Sequence, residues 1–546
     1  MTIELLSDTA GSLHAAIQDT ILLKLVCFAV ALSIAVTTIS SRWSRRKMPL
    51  PPGPRSLPYI GYRFGPYPWR EMERITRKYG PVSKVMMGST PLIIVGTVKD
   101  AIELLEHKGA IYASRPRLAE IWKYCALVEM SGAVMSGGMR TLSLEYGERW
   151  LKFRKALHSQ LDGRAAASYQ IVQEKAARQV ILDILDRRAN FEDALTTYAA
   201  SVILKIAYGK ASQTTYDDPE VRQVNLCLKR FTWAARPGTF TLDRHPWLKF
   251  VPFWTSTGRR WHQEELSLFR SQIQNVRKSR GERDTCVVSH LLDKQKDLAL
   301  SDDELAYLAG SLFGAGSDTT SAALSIVVFA AACFPEEVKK VQEELDRVVG
   351  RDRLPTFSDH PELPCVTAFY NESFRWRPVS AAGFMHAAIK DDHHKGHFIP
   401  AGSWILGNHC SLQILNRSIN RDPSVYPEPD EFKPSRWLNV DEKTGEVSLR
   451  SDIRHFAYGF GRRRCPGQIV ADNSVFINTA NLLCAFEIRR KRSADGNDIP
   501  LDSRAFTDSA NSRPLPFEVD FVPRHSHLRS MIEEMGTSRS EIRDSN

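Results

Sequence analysis

The sequence predicts a mainly α-helical protein with small β-sheets, preceded by one transmembrane helix. Apolar residues recur at helical spacing over long stretches, for example 165–187 and 335–350. Short runs rich in apolar and β-branched residues, 82–87 and 91–95, predict small strands. The sequence shows no alternating series of strand and helix patterns, so it does not predict a large parallel sheet. The transmembrane helix is predicted from a single apolar run near the N-terminus.

The composition narrows the class of protein. The chain has 546 residues, of which 43% are hydrophobic and 25% charged, as is typical of a folded globular protein. Its net charge of +10 suits nucleic acid, an anionic membrane or an acidic protein partner, but no nucleic-acid-binding motif accompanies the charge. The nine cysteines are scattered and form no C-x-x-C pair, which argues against a disulfide framework and a structural zinc site.

The predicted anchor runs from Ile21 to Ile39, 19 residues with a single charge at Lys24. A helix of this length spans roughly 28 Å, close to the thickness of a bilayer core. A cleaved signal peptide is the alternative, but residues 1–20 contain no Lys or Arg to form its positive start. The basic segment Arg42–Lys47 follows directly, so the positive-inside rule places residues 1–20 in the lumen and the rest of the chain in the cytosol.

The domain boundaries follow from composition. Residues 40–61 form a basic, proline-rich hinge, because prolines such as those between Pro49 and Gly61 stiffen an extended chain. A simple linker explains the same segment. Residues 62–523 are predicted to be one domain, and the basic, serine-rich residues 524–546 to be a mobile tail.

One long helix is predicted to begin after Ser301, where S-D-D-E forms a capping box, and to end at Phe334 before a proline. Its middle reads FGAGSDTTS, although each glycine there costs about 1 kcal/mol relative to alanine and a buried carboxylate needs a partner. A kink with threonine-to-carbonyl bonds explains this segment. Alternatively, a ligand lies against the glycines, and Asp318 and Thr319 manage protons and water beside it.

Four further clusters of residues are candidates for a functional role. Glu372 and Arg375 are placed to pair on one helical face, although such pairs are usually solvated. An arginine in the loop PDEFKPSRW, residues 429–437, suits a partly buried bond to a carboxylate. Trp150 and Arg154 share a face and could be a stacked surface pair. The loop FAYGFGRRRCPGQ, residues 456–468, holds Cys465 as a reactive thiol or a metal contact.

Taken together in this order and spacing, the motifs resemble those of the cytochrome P-450 family of haem-thiolate monooxygenases, in a membrane-anchored, fungal form. The resemblance covers about residues 50–525. It rests on the anchor and hinge, W-x-x-x-R, A-G-x-D-T-T (Ala315 to Thr320), E-x-x-R, the P-x-x-F…P-x-R-W loop and G-x-R-x-C-x-G. It implies the cytochrome P-450 fold, in which haem b lies between the long central helix and the cysteine loop.

The resemblance also assigns roles to residues. It implies that Cys465 is the axial ligand of the haem iron, that Asp318 and Thr319 deliver protons, and that Gly316 leaves room for O2. The other implied haem contacts are Arg463, Trp150, Arg154, His386 and Gly467, the first four of them towards the propionates. A structural triad of Glu372, Arg375 and Arg436 is implied to hold the core without taking part in the chemistry.

The chain departs from the family pattern at a few positions. Tyr458 stands where relatives usually have Phe, and Ala381 and Met385 stand where relatives often have proline. By family analogy the substrate pocket is lined by residues 115–139, 311–316, 379–384 and 508–514.

The implied activity is insertion of one oxygen atom of O2 into a small hydrophobic molecule, as a step of fungal secondary metabolism, with fatty acid or xenobiotic oxidation as the alternative. NADPH would act through a cytochrome P-450 reductase at the endoplasmic reticulum membrane, with cytochrome b5 as an auxiliary partner. Arg462 and Arg464 would face an acidic surface of the reductase. A P-450-fold isomerase or dehydratase, and a haem protein without enzymatic activity, are the alternatives of other classes.

Overall fold

The computed structural model describes residues 48–56, 61–88, 90–116, 129–186, 190–210, 212, 214–234, 251–279, 286–409 and 418–543, with no side chains at 129–131 and 536–543. The predicted anchor at 21–39, and most of the predicted hinge at 40–61, lie outside these residues. Within the described part, the prediction of a mainly α fold with small sheets is confirmed.

The helices, in chain order, are α1 Pro68–Tyr79, α2 Val98–Ile102, α3 Gly109–Tyr112, α4 Glu148–Leu161, α5 Gly163–Ser168, α6 Gln170–Leu185, α7 Phe191–Tyr208, α8 Pro219–Ala234, α9 Pro252–Lys278, α10 Val287–Asp293, α11 Asp302–Cys333, α12 Pro335–Val348, α13 Pro364–Trp376, α14 Gln468–Ala485 and α15 Leu528–Arg543. Short π-helical turns occupy Glu103–His107 and Glu129–Val134, and 3₁₀ turns occupy Phe357–Glu362, Ile419–Arg421, Pro434–Trp437 and Gly461–Arg463.

The strands are β1 Val82–Met87, β2 Thr90–Val95, β3 His386–Ala387, β4 Asp392–His394, β5 His397–Ile399, β6 Trp404–Gly407, β7 Leu438–Val440, β8 Val447–Leu449, β9 Phe486–Arg490 and β10 Val519–Pro523. One sheet has four strands in the order β1-β2-β6-β3, in which β2 and β6 are parallel and the other pairs antiparallel. The pairs β4–β5, β7–β8 and β9–β10 are two-stranded and antiparallel. The strands predicted at 82–87 and 91–95 correspond to β1 and β2.

The central helix α11 follows the sequence prediction closely. Ser301 accepts a hydrogen bond from the Glu304 amide and the Glu304 carboxylate accepts one from the Ser301 amide, while Phe334 forms the C-terminal cap. The helix is buried along most of its length and packs against α7. It is long and apolar enough to cross a membrane, but 67% of its most apolar window is buried inside the protein. Its apolar character therefore serves the core.

The C-terminal segment differs from the predicted mobile tail. Residues 528–543 form helix α15, and Leu528, Met531 and Ile532 are buried in the main hydrophobic core. These three residues lie at spacings of three and four, so one face of a single helical turn is apolar. Such burial holds the segment against the body, although its basic and serine-rich composition suggested mobility.

The described residues divide into two compact units. Residues 48–51 and 391–400 form the smaller one, in which the Phe398 amide donates to the Pro49 carbonyl at 2.9 Å beside the β4–β5 hairpin. The larger one comprises residues 52–390 and 401–543 and contains every residue of the site described next.

Candidate functional site

The loop that carries Cys465 is a tight backbone turn. Gly459 and Gly461 have φ angles of +78° and +45°, in the left-handed region that favours glycine. A Cβ at Gly461 would also lie 2.4 Å from the Leu105 carbonyl oxygen, so only glycine fits there. The Cys465 amide donates to the Tyr458 carbonyl at 2.9 Å. These contacts fix the direction of the cysteine side chain.

The Cys465 thiol opens into an internal cavity of about 390 Å³ with mainly apolar walls. Protein encloses the sulfur on its other sides, so burial raises the pKa of the thiol, while the Gly467 amide and the charges of Arg154 and Arg464 oppose that rise. Helix α14 begins directly behind the loop, and its positive N-terminal end favours a thiolate. The loop thus stabilises negative charge on the sulfur, but the effect of burial on the thiol pKa is larger.

The central helix forms part of the cavity wall. Ala315, Gly316 and Thr319 line the cavity, and the Thr319 hydroxyl donates to the Ala315 carbonyl at 2.5 Å, which is the threonine-to-carbonyl bond considered from the sequence. A Cβ at Gly316 would come within 2.8 Å of Ile203 on α7. Close packing of α7 against α11 therefore requires this glycine independently of any room for O2.

Asp318 is held by residues that the sequence did not single out. Its carboxylate accepts hydrogen bonds from Arg513 and, at 2.7 Å, from Asn511 Nδ2. Arg513 also reaches the Asp318 carbonyl at 3.3 Å, and Asn511 lines the cavity. Both partners belong to the segment 508–514 predicted for the pocket. The polar side chains of Asn511 and Arg513 within this segment were the feature of the sequence that could have identified them.

Arg463 lies between the cavity and the protein core. It donates to the Ala113 carbonyl at 2.6 Å and to the Leu144 carbonyl at 2.7 Å. Its pKa is lowered to about 8, first by burial and then by the charges of Arg115 and Arg154. The described residues place no carboxylate against it.

Arg115 joins Arg463 and Arg154 on the cavity wall, although the sequence assigned it only to the pocket. Its guanidinium donates to the backbone carbonyls of Leu142, Phe384 and Met385, at 3.0, 3.2 and 2.6 Å. Burial lowers its pKa to about 10. Burial also lowers the pKa of Arg154, whereas the charge of Cys465 raises it. We call Arg115, Arg154 and Arg463 the cation cluster.

Trp150 and His386 flank the cation cluster. The buried Trp150 ring lies 4.4 Å from the Arg463 guanidinium, so it is stacked with Arg463 rather than exposed beside Arg154. His386 Nδ1 donates to the Tyr112 carbonyl at 2.8 Å. Its pKa lies well below the usual range because of burial and the nearby Arg115 charge, so the ring is neutral. The Ser114–Ala387 bridge brings β3 to this wall.

Glu372 organises a second buried group of arginines, which we call the Glu372 cluster. Its carboxylate accepts two bonds from Arg375, at 2.7 and 2.8 Å, and one from Arg436 at 3.1 Å. Both side chains of the Glu372–Arg375 pair are fully buried, so the solvated pair expected for most such motifs is not what forms. Trp437, which follows Arg436 directly, adds an indole bond to Glu372 at 3.0 Å. The adjacency to Arg436 was its signal in the sequence.

The remaining basic residues of the cysteine loop have separate partners. Arg462 is exposed and donates to the Tyr146 hydroxyl, while Arg464 donates to Gln468 Oε1 at 2.7 Å. Behind the loop, Tyr458 donates to Asp472 at 2.6 Å, and burial raises the pKa of Asp472 to about 6. The hydroxyl that distinguishes Tyr458 from Phe is therefore satisfied by a buried acid.

The donor set fits an apolar group that carries a thiophilic metal and anionic substituents. Cys465 offers the thiol, the cation cluster faces the same cavity, and most of the wall is apolar. Among the described residues, no group of three or more His, Cys, Asp and Glu side chains is placed to hold a metal ion. A metal bound by Cys465 would therefore bring its other ligands with it.

Comparison with known proteins identifies a family with this set of features. The family model described as Cytochrome P450 matches residues 51–510. Cytochrome P450 monooxygenases 88 and 64 of Postia placenta are each 42% identical over 519 residues, which cover 93% of this chain and 99% of each relative. Cytochrome P450 monooxygenase claR of Ampulloclitocybe clavipes is 32% identical over 521 residues, 93% of this chain and 92% of the relative.

Proposed function

Because the chain belongs to the cytochrome P450 family, whose members use haem and O2, we propose that it is a haem-thiolate monooxygenase that inserts one oxygen atom of O2 into a small hydrophobic molecule. The observation that carries this proposal is a single cavity that brings together the thiol of Cys465, the cation cluster and Thr319 of the central helix. The fungal relatives are likewise named monooxygenases.

In this proposal the cavity residues divide the work of holding haem. Cys465 would supply the thiolate ligand of the haem iron, and Arg115, Arg154 and Arg463 would bind the two propionates, with Trp150 and His386 beside them. Burial lowers the pKa of Arg463 most, and the charges of Arg115 and Arg154 lower it further; two carboxylates would offset this repulsion. When bound, haem supplies the activation of O2, while the protein provides orientation, protons and exclusion of water.

Thr319 and Asp318 are the proposed proton carriers. Thr319 Oγ1 holds its proton at the cavity wall, where it is bonded to the Ala315 carbonyl and can turn towards a ligand. Asp318 precedes Thr319 on the same turn of the helix, and hydrogen bonds from Arg513 and Asn511 hold its carboxylate. We therefore add Arg513 and Asn511 as positioning residues, which fix the direction of the Asp318 carboxylate.

The proposed partners follow from what the described residues contain. Members of the family generally receive electrons from a separate reductase, so the proposed donor is an NADPH-dependent reductase, with cytochrome b5 as an auxiliary donor. The exposed Arg462 lies on the outer side of the cysteine loop and suits an acidic partner. The predicted anchor would place the chain in the endoplasmic reticulum membrane. The apolar cavity suits an intermediate of fungal specialised metabolism.

The test is reconstitution of the full-length chain with a fungal P450 reductase and NADPH. We expect a reduced carbon monoxide spectrum typical of thiolate ligation, and incorporation of one ¹⁸O atom from ¹⁸O2 into product from a pool of fungal metabolites. A carbon monoxide band typical of histidine ligation in an intact, freshly purified chain would contradict the ligand. Product formation that persists without NADPH or O2 would favour an isomerase or dehydratase.

A further inference from the structure

One charged side chain of the cavity wall has no role in the proposal above. Arg140 precedes helix α4, only 7% of it is exposed, and it lines the cavity together with Phe231 and Ser311. Arg140 does not belong to the cation cluster, because it forms an ion pair with Glu265, which none of those three arginines contacts. A buried charge in a mainly apolar pocket requires an explanation.

Glu265 on helix α9 fixes one side of this arginine. Nη2 of Arg140 donates to both carboxylate oxygens of Glu265, at 2.6 and 2.7 Å, and the guanidinium lies 4.3 Å from the centre of the Phe231 ring. Glu265 is itself held by the Tyr307 hydroxyl, which donates to it at 3.2 Å and lies 2.6 Å from His262 Nδ1. The carboxylate is thus immobilised, and so is the guanidinium.

The other side of Arg140 is not satisfied. Nε is buried without a hydrogen-bond partner, and the hydrogen bonds that Arg140 makes within the described residues use Nη2 alone. By contrast, Arg375 uses all five of its N–H groups. The hydroxyls of Thr141 and Ser311, both residues of the cavity wall, are also buried without partners. Nε and these two hydroxyls have almost no accessible surface, so a ligand in the cavity cannot reach them. The donor left for such a ligand is Nη1, which makes no hydrogen bond to the described residues, and a donor group inside a protein normally has a partner.

The charges around Arg140 indicate the kind of partner. Glu265 compensates the guanidinium, and its charge raises the pKa of Arg140 although burial opposes this. Burial and Glu265 also raise the pKa of Tyr307, so this phenol stays neutral. The group as a whole is therefore neutral. A ligand carboxylate would add an uncompensated negative charge near Glu265. A carbonyl or ether oxygen would accept a hydrogen bond from the free N–H groups and would add no charge.

We propose that Arg140 anchors the substrate by donating a hydrogen bond to a neutral oxygen, so that the substrate is an oxygenated hydrophobic molecule such as a ketone, ester or lactone. This proposal rests on the function proposed above and narrows its substrate class. It disfavours both a plain hydrocarbon and a fatty acid, because the former leaves the donors unpaired and the latter brings a charge that Glu265 repels.

The experiment uses three probes that share one carbon ring: cyclododecane, cyclododecanone and cyclododecanecarboxylate. Their dissociation constants for the purified holoenzyme are measured by equilibrium dialysis, so binding is detected whether or not the haem spectrum changes. We expect the ketone to bind at least about tenfold more tightly than the hydrocarbon, as for one hydrogen bond from a charged donor, and more tightly than the carboxylate.

Two variants test whether Arg140 causes this preference. Arg140→Met should remove the advantage of the ketone over the hydrocarbon. Glu265→Gln retains a hydrogen-bond acceptor for Arg140 but leaves its charge uncompensated, so the carboxylate should gain about tenfold or more relative to the ketone. Arg230→Met is the matched control, since Arg230 on α8 pairs with Glu264, the neighbour of Glu265 on α9, but is absent from the cavity wall, and it should leave all three constants unchanged.

The outcomes separate this proposal from the proposed function. Equal binding of ketone and hydrocarbon by the wild-type holoenzyme, or a ketone preference that survives in Arg140→Met, would overturn the anchor while the thiolate carbon monoxide spectrum stays intact. Failure of the proposed function would show earlier, as the absence of that spectrum in the wild-type chain. If Arg140→Met does not fold, the changed order of probe affinities in Glu265→Gln decides.

Discussion

The arginines around Glu372 and the arginines around Cys465 are buried in the same compact unit, but they differ in what faces them. Arg375 and Arg436 share one carboxylate, and backbone carbonyls take the rest of their donors. Within the described residues, Arg115 and Arg463 donate only to backbone carbonyls, and the pKa of Arg463 is lowered to about 8 by burial and by its cationic neighbours.

The difference separates a structural role from a binding role. A cluster with its own anion is complete when the chain folds, so it can stabilise the fold by itself. A cluster of cations without an anion costs stability, so we expect this cluster to bind an anionic group. Substitutions in the two clusters should therefore change stability and cofactor binding in different proportions.

The largest effect is expected at Cys465 on the cavity wall. Cys465→Ser should abolish the carbon monoxide band typical of thiolate ligation, because the hydroxyl of serine is a poor iron ligand at neutral pH. The reduced carbon monoxide difference spectrum measures this. Cys333→Ser, at a half-buried cysteine that does not line the cavity, is the control and should keep the band. An unchanged band in Cys465→Ser would refute the ligand assignment.

Glu372→Gln should damage the fold itself. The amide keeps the shape of the carboxylate but leaves Arg375 and Arg436 without their counter-charge, and loss of one partner of a buried ion pair costs about 3–5 kcal/mol. Denaturant-induced unfolding, followed by circular dichroism, measures the free energy of unfolding. Glu431→Gln, in the loop that precedes Arg436, changes an exposed side chain and should cost little. Equal stability of both variants would remove the distinction between the clusters.

Arg463→Met should act on cofactor retention more than on folding. Removal of one cation relieves repulsion in the haem-free chain but deletes a proposed propionate contact, so we expect haem affinity to fall by about 10–100-fold, as for other supporting contacts of metal groups. The rate of haem transfer to excess apomyoglobin measures retention, and thermal unfolding of the haem-free chain measures stability. A large loss of haem-free stability with normal haem retention would make the cation cluster structural.

Thr319→Ala tests whether the cavity is catalytic in addition to being a binding site. We expect substrate binding to persist, while electrons are diverted to hydrogen peroxide and the yield of product per NADPH falls several-fold. Peroxide and product are quantified in the same reductase-supported reaction. Thr320→Ala, at the neighbouring position of the helix, is the comparison. An unchanged yield in Thr319→Ala would exclude the proton role.

The smallest effect is expected for Trp437→Phe. It removes one indole hydrogen bond to Glu372, while Arg375, Arg436 and the Lys433 amide still satisfy the carboxylate. We expect a loss of about 1–3 kcal/mol in the free energy of unfolding, with unchanged haem content. A loss as large as that of Glu372→Gln would mean that Trp437 is as central to the cluster as Glu372.

Much of the fold was predictable because local rules decide it. The capping box at Ser301 and the proline after Phe334 bounded α11, and the short apolar runs gave β1 and β2. The stretch 165–187 was expected to be helical, and its described part is helical as far as Leu185, with a break at Tyr169 between α5 and α6. The C-terminal helix was missed, because composition suggested mobility while three apolar residues on one face are buried.

The candidate site was predictable only where residues belong to one motif. The partners that come from distant parts of the chain were not: Arg513 beside Asp318, Arg115 beside Arg463 and Glu265 beside Arg140 are separated by at least 125 residues. No local pattern relates such residues, since their proximity results from how the helices pack.

The sequence by itself determined many helix boundaries and the resemblance to a family, and it singled out Cys465 as a candidate, because these depend on short-range spacing and on residue type. The tertiary structure decided which arginines have an anion and which lack one, since that depends on which distant side chains share a buried space. The loop around Cys465 is basic in the sequence. Only packing reveals that Arg463 faces the cavity with two other cations, that Arg462 faces outwards, and that the pocket holds one neutralised arginine with free donors.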